Sequence, residues 1–201
     1  MIVDLQKIIQ KKRGGVVLEQ VYNLNKERKI EIESVVDGIV GHINFTKNPF
    51  IDIVSIVEKE GFVVESRKMD IETTGYLFIG DNVRYIWVNT DFKNPNNDDD
   101  VVFKKSRFIT AHEYGHYKLH NVSSAHRDTY HRTEPQELEA DYFARSILMP
   151  LKYFNACYNA VKEYNSNDSY IIDILTRFFS VTKDKVSKRI ADLSELGELL
   201  G

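Results

Sequence analysis

Apolar residues along this chain occur in two patterns, one with a helical spacing and one of short, nearly unbroken runs. Recurrence every three or four residues is typical of one helix face, whereas runs of β-branched and aromatic residues favour strands. These patterns predict helices over residues 2–12, 27–44, 49–60, 102–120 and 135–148, with two or three more within 151–200. They predict strands over residues 16–22, 62–65, 76–79 and 84–88.

Residues 76–88 are expected to form a hairpin, because Gly80-Asp81-Asn82 is a turn signal between two apolar runs. We expect its second arm, Arg84–Asn89, to be an exposed sheet edge to which an extended peptide can add. The polar run 93–100 has no apolar side chain and is predicted to be a solvated loop. Its three aspartates lack the spacing of a calcium-binding EF-hand loop.

Composition narrows the class of protein and the compartment. The chain has 201 residues, 42% of them hydrophobic, and a net charge of −3 with both signs mixed, so its overall charge does not favour nucleic acid. A single cysteine, Cys157, cannot form an internal disulfide, which fits a reducing compartment. Charges near the N-terminus interrupt any signal-peptide pattern, and no apolar run is long enough for a membrane span. We therefore expect a cytoplasmic protein.

The segment His112-Glu113-Tyr114-Gly115-His116 carries the clearest chemical signal. Residues four apart lie on one helix face, so His112 and His116 can converge on one ion at about 2 Å from each ring nitrogen. Glu113 is one position further round the helix, within reach of a water molecule on that ion, and is the predicted general base. Apolar neighbours indicate a partly buried helix, where two histidines without a shared partner would be costly. The pattern predicts a zinc site for hydrolysis.

A catalytic zinc site needs a third protein ligand beside an open position. We favour Glu137, because Asp141 lies one turn further along the same helix face and can hydrogen-bond a ligand imidazole. Glu139 is the second candidate on this helix, but its side chain points roughly 200° away from that of Glu137.

Four residues in or beside the polar stretch between the two helices are further candidates for a role in the site. His120 lies about 12 Å along the helix axis from His112, so the two cannot share one ion. His126 and His131 stay open as third ligands. Together with Tyr130, they are also candidates for stabilising the oxyanion of a peptidase reaction.

The two central helices resemble those of the ImmA/IrrE family of metallopeptidases. The resemblance is carried by residues 107–120, RFITAHEYGHYKLH, by residues 137–144, ELEADYFA, and by residues 147–150, ILMP. It extends over roughly 49–195 and leaves the first 45 residues outside. It implies that His112, His116 and Glu137 bind Zn²⁺ and that Glu113 is the base.

The same resemblance implies a fold and a biological role. The expected class is α+β: a zincin-like core with a small mixed sheet and an HExxH active-site helix, plus a C-terminal helical lobe. We divide the chain into an N-terminal extension over 1–47, a peptidase core over 48–150 and the lobe over 151–201. Members of the family cleave a helix-turn-helix repressor, often encoded beside them, and so relieve transcription in phages, mobile elements or stress regulons.

Two other functions compete with this zinc endopeptidase. The first is a metal-binding regulatory module that holds its partner without cleaving it, although such a module does not need Glu113. The second is a DNA-binding regulator, because residues 171–193 have a helix-turn-helix pattern with Thr182 as a cap. We interpret its basic side chains, Lys183, Lys185, Lys188 and Arg189, as a solvated face and do not expect direct DNA binding.

Overall fold

Helices dominate the computed structural model, which describes residues 23–45, 50–69, 74–89, 98–120 and 133–198. Within those ranges the chain forms α1 (Lys26–Val40), α2 (Ile53–Lys59), β1 (Phe62–Arg67), β2 (Gly75–Ile79), β3 (Arg84–Asn89), α3 (Asp99–Leu119), α4 (Glu134–Leu148), α5 (Leu151–Tyr164), α6 (Asp168–Phe179) and α7 (Lys183–Leu196). The predicted α+β class is confirmed. The elements predicted over 2–12 and 16–22 lie outside the described residues. Among the described helices, none combines the length and apolar composition that a bilayer span requires.

The observed first residues of α2 and α3 correct two predictions about where these helices begin. The helix predicted from Pro49 begins only at Ile53, where the Asp52 carboxylate accepts a hydrogen bond from the backbone N–H of Ser55. The loop predicted over 93–100 is wrong for its last two residues, because α3 already begins at Asp99. Carboxylates in a first helical turn are stabilised by the helix dipole, so an acidic run that resembles a loop can instead start a helix.

The three strands form one mixed sheet with the order β1-β3-β2. The predicted hairpin is confirmed, since β2 and β3 pair antiparallel, with Leu77 opposite Ile86. The expectation that β3 is a sheet edge is wrong, because β3 also pairs in parallel with β1 and lies in the middle. Its buried residues Ile86 and Val88 suit a central strand. Among the described residues, β2 pairs only with β3 and is therefore an outer strand.

The C-terminal helices pack onto α3 and α4 through buried arginines. Arg107 of α3 donates hydrogen bonds to the carbonyl oxygens of Phe179, at 2.9 Å, and Ile51, at 2.7 Å. It thereby joins the turn between α6 and α7 to α3. Arg189 of α7 is fully buried, so the interpretation of that basic cluster as solvated is wrong for Arg189, while Lys183 and Lys188 are exposed. A buried arginine cannot contact DNA phosphates, which also weakens the case for a DNA-binding regulator.

A buried ionic cluster joins α1, α4 and α7. The guanidinium of Arg189 donates to both carboxylate oxygens of Glu33 on α1, and one of its nitrogens also donates to Ser146 Oγ of α4, at 2.9 Å. Tyr142 donates a further hydrogen bond to Glu33 at 2.8 Å. Burial raises the pKa of Glu33, but the charge and hydrogen bonds of Arg189 outweigh this effect and lower it. Glu33 therefore stays ionised and anchors α1 to the core.

Glu33→Ala is expected to reduce the free energy of unfolding by about 3–5 kcal/mol, because it leaves the Arg189 guanidinium buried without an anion. Denaturant titration of the purified variant measures this loss. Glu31→Ala is the matched control on the same helix, and its exposed carboxylate predicts a change within about 0.5 kcal/mol. A loss below about 1 kcal/mol for Glu33→Ala would show that Arg189 finds other partners.

Candidate metal centre

Two histidines of α3 face each other across one helical turn. The Nε2 atoms of His112 and His116 lie 3.1 Å apart. His116 is fully buried and the side chain of His112 is 14% exposed. Their separation of four residues places both rings on the face of α3 that packs against α4.

Glu137 of α4 forms a cluster with these two histidines. Its Oε2 atom lies 3.1 Å from His112 Nε2, and its Oε1 atom lies 3.3 Å from His116 Nε2. Tetrahedral ligands at about 2.0–2.1 Å from a zinc ion are about 3.3 Å from one another. Two imidazoles and one carboxylate are also a ligand set of catalytic zinc sites. The donor atoms of this cluster therefore fit a zinc ion.

Close packing of α3 on α4 brings Glu137 to the histidines. A Cβ atom on Gly115 would lie 3.0 Å from Phe143 Cδ1 and 3.3 Å from both the Cα and the carbonyl oxygen of Ala140. Glycine and alanine at these positions let the two backbones approach. A side chain at position 115 would force Phe143 or Ala140 to move, because its first carbon would already be closer to them than ordinary packing allows.

The outer ring nitrogens of both histidines also have partners. Asp141 Oδ1 lies 3.0 Å from His112 Nδ1, and His120 Nδ1 lies 3.0 Å from His116 Nδ1. Partners at these nitrogens orient a metal-binding imidazole and fix which nitrogen carries the proton. The Asp141 contact is the one the sequence predicted, whereas the sequence predicted no contact for His120.

The charges of the cluster favour a cation at its centre. Burial lowers the pKa of His112, but hydrogen bonds to Asp141 and Glu137 outweigh this effect and raise it to about 9. Burial raises the pKa of Glu137, but the hydrogen bonds to His112 and His116 lower it well below its usual range. A metal ion would compete with the His112 proton, since both need the lone pair of the ring.

Glu139, the second candidate ligand on α4, lies outside this cluster. Its Oε2 atom is 2.7 Å from an Arg28 nitrogen and 3.1 Å from His120 Nε2. Its carboxylate is therefore engaged on another side of α4. The candidate ligands His126 and His131 lie outside the described residues, as does Tyr130.

Glu113 is buried beside the first residue of β2. A Cβ atom on Gly75 would lie 3.0 Å from Glu113 Oε1 and 2.4 Å from Ile109 Cγ2, so only glycine fits there without movement. Glu113 itself is 1% exposed. The strand thus holds the carboxylate against α3. The sequence did not predict this role of Gly75, because it depends on the packing of a strand on a helix.

A cleft of about 480 Å³ opens beside His112 and Glu137. Phe108 and Ile109 of α3 line it on one side, and Lys185 of α7 lines it on another. The Lys185 ammonium lies 3.9 Å from the centre of the Phe108 ring, a cation–π contact. The sequence pattern placed Lys185 on a solvated face and did not indicate that α7 forms one wall of this cleft.

A family of known proteins matches the part of the chain that contains this cluster. Residues 61–191 match the model of the family Peptidase_M78, described as an IrrE N-terminal-like domain. The match covers more than half of the chain and includes every residue of the cluster. It starts after α2, so α1 lies outside it. Among curated proteins, none matches the chain at a significant level.

Proposed function

The chain belongs to the family of IrrE N-terminal-like domains, and from that membership we propose that it is a zinc-dependent endopeptidase acting on a helix-turn-helix transcriptional repressor. The family supports a metallopeptidase-type domain. The observation that carries the proposal is the convergence of His112, His116 and Glu137, whose ligand atoms all lie within 4.8 Å of one another. A buried glutamate, Glu113, follows the first of them in the sequence.

The residues of the site have different roles in the proposed hydrolysis of a peptide bond. His112, His116 and Glu137 would hold a zinc ion, which when bound would supply Lewis acidity to activate water, whose pKa falls to about 7 on such an ion, and to polarise a peptide carbonyl. Glu113 accepts the proton of the attacking water and passes it to the leaving amine. Asp141 accepts a hydrogen bond from His112 Nδ1–H and keeps Nε2 of that ring free to bind metal.

The structure suggests how substrate is held. The side chain of Glu137 is 41% exposed while His116 is buried, so the cluster opens to solvent on the Glu137 side. Thr74, directly before β2, lines the cleft there. Since β2 is an outer strand among the described residues, we propose that an extended substrate segment pairs with β2. The central strand β3 has no free edge for this pairing.

Backbone pairing tolerates many side chains, so selectivity must come from a second contact. We propose that the C-terminal helices, which already form one wall of the cleft through α7, dock the folded part of the repressor. Its helix-turn-helix identity follows from the role of the family and not from the cleft.

Two substrates compared under matched conditions test this proposal. The first is the intact helix-turn-helix repressor that the family role predicts, and the second is a short unfolded peptide that spans its cut site, which mass spectrometry identifies. Remote docking predicts that the peptide is cleaved with kcat/KM lower by about tenfold or more, equal to about 1.4 kcal/mol of lost binding energy. Equal efficiency would show that the cleft alone sets specificity. An intact repressor that binds and is never cut would support the binding module instead.

A further inference from the structure

A chain of polar contacts leads from α1 to the second histidine of the metal centre. An Arg28 nitrogen lies 2.7 Å from Glu139 Oε2, which lies 3.1 Å from His120 Nε2. On the other side of the same ring, His120 Nδ1 lies 3.0 Å from His116 Nδ1. The side chain of His120 is only 4% exposed, so water does not substitute for these partners.

Donor and acceptor rules fix the protons along this chain. The Glu139 carboxylate faces the Arg28 cation and can only accept, so His120 Nε2 carries a proton and donates it. A neutral His120 then has its lone pair on Nδ1, where it accepts a hydrogen bond from His116 Nδ1–H. With its proton on Nδ1, His116 presents a lone pair at Nε2, the atom that faces His112 and Glu137.

The reverse assignment is disfavoured by the same contacts. If His120 carried its proton on Nδ1 instead of Nε2, then His120 Nε2 and Glu139 Oε2, which lie 3.1 Å apart, would both be acceptors and would repel each other. This tautomer of His120 would also make His116 Nδ1 the acceptor and leave a proton on Nε2. That proton would occupy the position of the metal.

We propose that Glu139 and His120 are positioning residues that set the tautomer of His116 for metal binding, with Arg28 of α1 holding Glu139 in place. The inference rests on the proposed metal centre. It gives α1, which lies outside the family match, a part in the chemistry of the site. It also assigns a role to Glu139 that differs from that of a ligand.

Nuclear magnetic resonance of the metal-free protein, recorded before and after the addition of one equivalent of zinc, tests the tautomers directly. Long-range ¹⁵N–¹H correlations are expected to show His120 with its proton on Nε2 and its lone pair on Nδ1, and His116 with its proton on Nδ1. A proton on Nδ1 of His120 would overturn the proposal. A His116 Nε2 signal unaffected by one equivalent of zinc would refute the metal centre itself, so the two failures are distinguishable.

Zinc affinity, measured by competition with a chromophoric chelator, gives a second test. His120→Leu removes the acceptor for His116 and is expected to weaken zinc binding by about 10–100-fold. His120→Asn retains an acceptor oxygen near the position of Nδ1 and is expected to recover most of that loss. Equal affinities for these two variants, or wild-type affinity for His120→Leu, would contradict the proposal.

A control separates this effect from general loosening of α1. Glu195→Gln weakens a different ion pair of α1, the one between Glu195 and Lys29. The substitution does not remove any contact of Arg28, Glu139 or His120. We expect its zinc affinity to equal that of the wild type. Unfolding of each metal-free variant is measured in parallel. A loss of zinc affinity in Glu195→Gln as large as that in His120→Leu would show that the effect comes from the docking of α1. It would overturn the proposal that His120 and Glu139 set the tautomer of His116.

Discussion

Glu113→Gln is expected to lower kcat for peptide cleavage by about 10²–10⁴-fold, while zinc content and the fold stay as in the wild type. The amide has the shape of the carboxylate but cannot accept a proton from water, and general base catalysis contributes about this factor. The close fit of Glu113 against β2 leaves the near-isosteric glutamine in the same position. Cleavage of the repressor, metal analysis and circular dichroism provide the three readouts.

A matched variant guards against a trivial loss of activity. Glu65→Gln makes the same chemical change on the exposed side of β1, where the carboxylate pairs with Arg67, and should cleave normally. Wild-type turnover by Glu113→Gln with zinc bound would mean that another group takes the proton, and the mechanism proposed for this site would be wrong.

Glu137→Ala is expected to lose most of the bound zinc and, with it, the stabilisation that zinc confers on the protein. At a free zinc concentration of 100 times the wild-type Kd, binding stabilises the folded state by about 2.7 kcal/mol. The variant should therefore unfold at the same temperature with and without zinc, whereas the unfolding temperature of the wild type should rise when zinc is added. Elemental analysis after gel filtration and thermal unfolding in both conditions measure the two effects.

Glu139→Ala is the companion variant, two residues further along the same helix. It removes the hydrogen bond to His120 and should weaken zinc binding, yet it should still hold one zinc per chain at micromolar protein concentration, because the three ligands remain. The opposite pattern, with zinc lost from Glu139→Ala and kept by Glu137→Ala, would place the metal on the other face of α4.

The parts of this structure that the sequence predicted are those determined by nearby residues. The hairpin follows from a turn signal between two apolar runs, and the helix α3 follows from apolar spacing and the two histidines. A hydrogen bond from Asp141 to one of the two imidazoles was also predicted, because each lies on a regular helix whose faces can be counted, and the structure shows that the imidazole is that of His112. Local periodicity specifies these features without knowledge of the rest of the chain.

The parts that the sequence did not predict depend on contacts between distant segments. The central position of β3 requires parallel pairing with β1, which no local turn specifies. The burial of Arg189 requires Glu33, which lies 156 residues away in the chain. A basic residue beside other basic residues resembles a solvated face until its partner is known.

The same limit applies within the metal centre. His120 follows the zinc motif at the end of α3, and helix geometry alone shows only that it cannot share the ion of His112. Its contact with Glu139 depends on how α3 and α4 are aligned along their axes, to which the packing of Gly115 on Ala140 contributes. The small residues can be read from the sequence, but the sequence alone does not predict which turn of α3 contacts which turn of α4.

The ionic cluster around Arg189 has a consequence for how relatives of this protein vary. Glu33 lies before residue 61 and Arg189 lies within the matched region, so the pair crosses the boundary of the family domain. A relative that keeps this arginine buried without an acidic residue in the place of Glu33 would carry an uncompensated charge, at a cost of about 3–5 kcal/mol. The acidic residue and the buried arginine should therefore be inherited together, and relatives without the acidic residue should carry an uncharged residue in place of the arginine.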